Sequence, residues 1–322
     1  MSAKTRQLLL LARLTALETL RQPICLLLTV LCLLLMSLLP LTVAYEFGEE
    51  AKLVRDSALA IHFLFGLLIG GYAACSALSK EIRSGTASTV LSKSVGRSTF
   101  FLAKLTGIVW VVGLFSLLAA LGTLLSDRAA ARLYLVDERA ARLFILVPVA
   151  AVVAGGIANY WRRKPFVTQA FAWLTVFLLL AFGVTALTDR SGHWVRFGTC
   201  ITWRIVPASL LVSLSLVPLA AIALSLATRL STVPTLALSI VAFLLGLLSD
   251  HLFGTVLGPS GLGSVLGALL PNLQHFWLVD ALNGGGSIPW SYVGLASVYA
   301  AVYTAGVVLL GVGSFLRVEI SG

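Results

Sequence analysis

Charge is what this chain has least of. Only 11% of its 322 residues are Asp, Glu, Lys or Arg, while 59% are hydrophobic, and a soluble core of this length cannot absorb so much apolar surface. The shortage points to a membrane protein, an all-α polytopic helix bundle. Cysteine is scarce as well. Of the four, Cys25, Cys32 and Cys75 fall inside apolar runs and only Cys200 in a connecting segment, so neither a disulfide framework nor a CxxC metal site is available. No GxxxxGK[ST] stretch occurs, which excludes nucleotide binding in the P-loop manner by this chain alone. The long apolar runs carry no Asp, Glu, Lys or Arg. An ion-coupled pump needs such groups at membrane depth, so the energy for any transport must come from elsewhere. His62 is the one histidine at that depth, and a lone histidine there is expected to be a packed, hydrogen-bonded side chain rather than a proton relay.

What is present is a series of apolar runs, each near the roughly 20 residues needed to cross a bilayer. They cover residues 24–44, 58–79, 105–125, 143–160, 167–187, 206–228, 233–249 and 291–311. This predicts about eight spans, a six-span core plus an extra pair over 143–187. Residues 1–23 read as an interfacial helix, with Lys4, Arg6, Arg13 and Arg21 among leucines spread around its circumference, and Pro23 opens the next helix at a position where its missing N–H costs nothing. The first run is too long for a signal-peptide core and is expected to be retained. Residues 24–322 then form one transmembrane domain. Most Lys and Arg residues fall on the side of the N-terminus, which predicts both termini in the cytoplasm of a cell (inner or plasma) membrane. The net charge of +10 fits loops facing an anionic leaflet better than a nucleic-acid partner.

Two outer segments stand apart. The arginines of 126–142 oppose the sidedness and predict an amphipathic helix lying on the outer surface, offset by Asp127, Asp137 and Glu138. Residues 258–285 are apolar yet broken by Pro271 and end in a glycine run, which predicts short re-entrant or interfacial helices.

The polar segment 80–104, KEIRSGTASTVLSKSVGRSTFFLAK, lies between two membrane-length runs. Its cations Lys80, Arg83, Lys93, Arg97 and Lys104 face one acid, Glu81, which marks the cytoplasmic side. A short helix is expected here, then a turn at Val95 and Gly96, then a helix capped by Ser98. Val90 and Leu91 give that short helix an apolar side that fits a groove on another protein. Gly66, Gly70 and Gly71 in the second span allow close helix contact, either at a dimer seam or in internal packing.

Two fragments invite a catalytic reading. Residues 258–261, Gly-Pro-Ser-Gly, resemble the GxSG of rhomboid proteases, but the serine would need a histidine from another span, and His275 lies in the same segment. Glu49, Glu50 and Arg55 resemble the glutamate pair and arginine of the metalloproteases that process prenylated proteins, with the arginine one place too far and the histidine motifs missing. An intramembrane protease is therefore the remote alternative, and the chain itself is expected not to be an enzyme.

The 80–104 segment resembles the first cytoplasmic loop of ABC-2 type permeases, the membrane subunits of a class of ATP-binding cassette exporters. The residues that carry the likeness are Glu81, Gly85, Thr86, Val90, Leu91, Ser92, Arg97 and Lys104; Ser94 stands where proline is common, and Thr106 separates Lys104 from Gly107. The extra pair of spans resembles the subgroup serving gliding motility and nitrous-oxide-reductase maturation. The resemblance implies a permease that binds no cofactor of its own. ATP and Mg²⁺ would sit on a partner ATP-binding subunit docked on residues 81–97, and a second permease copy or paralogue would complete the pore. It leaves the cargo open, and a non-transporting scaffold driven by the same ATPase is the alternative.

Overall fold

The computed structural model describes residues 3–42, 49–83, 96–130, 136–252 and 270–317, and all the structural statements below concern these. They are overwhelmingly helical, with one isolated β-bridge between Thr188 and Trp194. In order come α1 (Ala3–Leu20), α2 (Pro23–Thr42), α3 (Glu50–Ala74), α4 (Arg97–Ala129), α5 (Glu138–Arg162), α6 (Phe166–Leu187), α7 (Ile205–Ala227), α8 (Thr232–Leu247) and α9 (Trp290–Leu316). A π-helical turn, Cys75–Ser79, and a last helical turn, Lys80–Arg83, extend α3. Seven of these helices, α2 to α7 and α9, are long and apolar enough to cross a membrane, the make-up of a multi-pass helical membrane bundle. The run expected at 233–249 contains α8, a 16-residue apolar helix of about 24 Å, and after a turn at Leu248 helical residues continue to 252.

The core lies where α3 meets α4 and α7. Small residues set those distances. A Cβ on Gly66 would come within 2.3 Å of Leu216, and one on Gly71 within 2.7 Å of Leu236. Gly70 faces Val112 and Ala220. All three glycines thus serve packing inside this chain, not a seam between copies. The α5–α6 pair forms a second, lateral layer, in which Gly155 lets the backbone of Ala170 approach to 2.8 Å from where its Cβ would stand.

Helix α1 ends where residues 1–23 predicted, at a turn before Pro23, and packs along α4. The face it buries consists of Ala12, Thr15, Ala16 and Thr19 rather than its leucines. Those positions are spaced i, i+3, i+4, i+7, one side of a helix. Close approach is what they provide, because a Cβ on Gly107 would stand 2.6 Å from the Ala12 carbonyl. We expect Gly107→Val to lift α1 from α4 at a cost of about 1–3 kcal/mol, the usual range for overpacking. Faster trypsin cleavage after Arg13 than in the wild type is the readout; unchanged cleavage and an unchanged thermal midpoint would contradict the contact.

The outer-surface helix expected over 126–142 does not form. Residues 126–129 are the last turn of α4, which runs 33 residues, and Glu138 starts α5, with the Asp137 carboxylate accepting from the Ala140 N–H at 3.1 Å. A hydropathy window stops at the first charge, whereas a helix continues if that charge finds a partner. Here Arg128 pairs with Asp137, both nearly fully buried. Helix α4 also begins at Arg97, with Gly96 at the cap and no side-chain capping bond, so Ser98 lies inside the first turn and is not the cap.

Candidate functional site

The inner flank of α3 and the start of α4 enclose residues 84–95, so that Gly85, Thr86, Val90, Leu91 and Ser92 lie outside the described residues while Glu81 and Arg97 lie within them. Both flanks are anchored. Lys104 donates to the Glu81 carboxylate, its ammonium lies 5.2 Å from the centre of the Phe100 ring, and Phe100 stacks on Phe315 of α9. Lys104 is buried on α4 and Glu81 half-buried beyond α3, so the pair ties the end of α3 to α4. Burial pushes the Glu81 carboxyl above its usual range; the Lys104 charge pulls it part of the way back, and Glu18 adds to the rise. Arg97 donates to the Leu316 carbonyl at 2.9 Å, fixing the other flank to the end of α9.

The π-helical turn sits immediately before this strap. A π-turn widens the helix by one residue and leaves carbonyls out of register, and here the neighbouring side chains reach outward. Ser79 Oγ donates to the Leu230 carbonyl at 2.9 Å and Cys75 Sγ to that of Thr232 at 3.9 Å. One turn earlier, Tyr72 Oη donates to Gln22 Oε1 at 2.8 Å. The end of α3 is therefore tied to the α1–α2 corner, the α7–α8 turn and α4. We call this the hinge end.

The opposite end holds a buried ionic layer that hydropathy reading missed. Arg55 Nε donates to Asp127 Oδ1 at 3.1 Å, with 6% and 1% of the two side chains exposed, and Arg55 Nη1 reaches the Leu282 carbonyl at 3.5 Å. Arg128 joins Asp137 and approaches the Thr188 carbonyl at 3.4 Å, while Arg190 donates to the Ala130 carbonyl at 3.0 Å. Together these bonds clasp α3, α4, the start of α5, the 188–204 connection and the segment before α9. A signal did exist: each pair puts opposite charges just beyond an apolar run, where helix ends converge.

Of the 258–285 segment, residues 270–285 are described. They form two short 3₁₀ helices, Leu273–Phe276 and Val279–Gly285, within the segment expected to hold short re-entrant or interfacial helices. Leu273, Phe276, Val279 and Leu282 are buried. Gln274 Nε2 donates to the Leu247 carbonyl at 2.7 Å, satisfying the end of α8, and a Cβ on Gly246 would meet the Pro271 carbonyl at 2.7 Å.

The fragments with a catalytic look are placed as follows. Ser260 falls outside the described residues. Glu49 pairs with Lys52 and Arg55 with Asp127, so these side chains answer to separate partners. His62 is fully buried, edge-on to Phe115 with ring centres 5.8 Å apart. It is packed as expected, but neither ring nitrogen has a hydrogen-bond partner among the described residues. A trio the sequence reading passed over lies in the 188–204 connection: Ser191 Oγ stands 2.7 Å from both Asp189 Oδ1 and His193 Nδ1. A nucleophilic triad needs the carboxylate on the imidazole nitrogen remote from the serine, whereas Asp189 lies on the same Nδ1 side at 3.9 Å. It also accepts from the His193 backbone N–H at 2.9 Å, the geometry of a turn closed by its own side chains. Hydrogen bonding, first of all from Ser191, holds the Asp189 carboxyl below its usual range.

Among the described residues no group of three or more His, Cys, Asp or Glu side chains could hold a metal ion. The mechanically distinctive feature is thus the pairing of a strapped hinge at one end with a buried ionic clasp at the other, bridged by α3 and α4. Comparison with known proteins finds no family model and no curated protein that matches this chain.

Proposed function

We propose that the chain is the membrane-spanning permease subunit of an ATP-binding cassette exporter of the ABC-2 type, moved by ATP hydrolysis on a separate subunit. It crosses the cell membrane about eight times, with both termini in the cytoplasm. The observation that carries this reading is the hinge: both flanks of residues 84–95 are tied to helices, through Glu81 to Lys104 and through Arg97 to the Leu316 carbonyl. A loop that served only to connect two spans would not need a buried ion pair across its base. The eighth crossing is α8, whose neighbourhood at Thr232 contacts Cys75 at the hinge end and whose Leu247 carbonyl is taken by Gln274 near the opposite end.

Closure of the ATPase on ATP supplies the free energy, because the closed partner binds one position of residues 81–97 better than the other. The shift enters α3 and α4, the two elements that run the whole distance to the ionic clasp. A second permease copy or paralogue completes the pathway. The chain contributes positioning and a moving wall, and its partner contributes the chemistry.

The apolar pair Val90 and Leu91 tests the assignment. In Val90→Asp/Leu91→Asp the ATP-binding subunit is expected to be lost on affinity purification of the permease, with the thermal midpoint of the membrane part unchanged. Retained association together with retained transport would overturn the reading.

A further inference from the structure

A lateral groove of about 480 Å³ opens between α7, α8 and α9 on the half of the bundle nearer the hinge, within the roughly 300–1,000 Å³ typical of small-molecule sites. Its walls are apolar, formed by Ile222, Leu226, Ala242, Leu270, Val307 and Leu310, and Arg229 is the one charged residue that lines it. Arg229 stands at the hinge-end mouth. Its Nε donates to Ser314 Oγ at 2.9 Å, and its terminal nitrogens have no protein partner among the described residues. Ser314 Oγ is itself held by Thr228 Oγ1 at 3.2 Å, so the guanidinium is steadied from below.

The length of the groove says what fits it. From Ser314 at the mouth to Tyr303 at the far end is 11 residues of α9, about 16 Å of helix rise, or about half of a hydrocarbon layer of roughly 30 Å. A bare anion would use only the mouth, and a neutral hydrocarbon would leave Arg229 unanswered. An amphiphile with a negative head and one chain a leaflet deep uses both. Guanidinium favours phosphate or carboxylate through paired, charge-assisted hydrogen bonds. Among the described residues no acid lines the groove to repel such a head.

We propose that this groove binds an anionic lipid of the hinge-side leaflet, with its phosphate on Arg229 and one acyl chain running between α8 and α9 toward Tyr303. The site needs only the bundle and its membrane, and goes beyond the permease reading, since no ATPase takes part in it.

Photo-crosslinking of the full chain in phosphatidylcholine nanodiscs tests the site. The two probes are phosphatidylglycerol and phosphatidylcholine, each carrying a diazirine in one acyl chain. The phosphatidylglycerol probe is expected to label peptides of α7 and α9 that line the groove, and Arg229→Gln to lower that labelling about tenfold, as for the loss of a charged hydrogen-bond donor. Arg229→Lys should keep most of it. Ala242→Phe, which fills the chain channel and leaves the head site intact, should remove it. Equal labelling by the phosphatidylcholine probe, or labelling unaffected by Arg229→Gln, would mean ordinary boundary lipid and overturn the site. Displacement of the probe by millimolar inorganic phosphate would overturn it too, by showing a head site without a chain. Because no partner subunit is present, each of these failures leaves the assignment as a permease untouched.

Discussion

Asp127→Ala is expected to lose about 3–5 kcal/mol of stability, the cost of leaving one member of a buried ion pair without its partner. The Arg55 side chain is 6% exposed, its other hydrogen bond goes to the Leu282 carbonyl at 3.5 Å, and the half-buried Asp56 carboxylate beside it offsets its charge only in part. The double variant Arg55→Met/Asp127→Leu removes both charges and keeps the volume, so it should recover most of the loss or exceed the wild type, as buried pairs replaced by apolar side chains often do. Thermal or denaturant unfolding of the reconstituted protein provides the comparison. A midpoint unmoved in Asp127→Ala, or a double variant whose loss is the sum of the two singles, would show that the pair is not a coupled buried unit. The permease reading adds a second expectation. A clasp made apolar no longer discriminates by charge between closed and parted helices, so transport in the double variant should fall even where stability rises.

The second large effect is expected at the other end. Glu81→Gln keeps the shape of the side chain and removes the charge that answers Lys104, which remains buried over Phe100. Burial favours the neutral form of Glu81 and part of the side chain is in water, so the change in stability should be small, within about 1 kcal/mol. Coupling should suffer more. On the permease reading the strap links the proposed docking segment to α4, and its release is expected to lower transport-stimulated ATP hydrolysis between about 5-fold and 150-fold, the range of a typical coupling free energy. Acidification offers the same test without mutation. Because burial raises the Glu81 carboxyl, the folded chain takes up this proton more readily than the unfolded chain. The contribution of Glu81 to stability is therefore present at low pH and lost as pH rises through its folded value. Just above the ordinary carboxylate range, protonation should discharge the strap without penalising the fold. Coupling is expected to drop there in the wild type, and Glu81→Gln should show no further drop. Parallel acid limbs in the two proteins would remove Glu81 from the explanation.

Much of this architecture is legible in the residues. The apolar runs fix most of the helices because a bilayer demands near-uniform hydrophobicity over a set length, and Pro23 marks a helix start by its own chemistry. Glu81 and Arg97, picked out by a family resemblance, each bond to a partner on another element. What escaped has physical causes. The buried face of α1 is made of Ala12, Thr15, Ala16 and Thr19, which a search for leucines passes over, since close approach there depends on small size rather than on greasiness. Asp127, Arg128 and Asp137 fall in the segment expected as an outer-surface helix, and Arg55 just before an apolar run, because single-residue hydropathy treats every charge as unpaired and only the fold brings opposite signs together. The Glu81–Lys104 pair is separated by 23 positions, so neither residue announces the other. Five members of the docking segment, Gly85, Thr86, Val90, Leu91 and Ser92, stay at the level of the sequence, outside the described residues.

The end of α8 has a consequence for the surrounding lipid. On the eight-crossing reading its 16 residues rise about 24 Å against a hydrocarbon layer of roughly 30 Å, and the helical residues that carry the chain on to 252 depart there from regular α geometry, in a corner where Asn272 meets Asp250. On that reading a thicker bilayer would strain this corner first, at a fraction of a kcal/mol per ångström of mismatch.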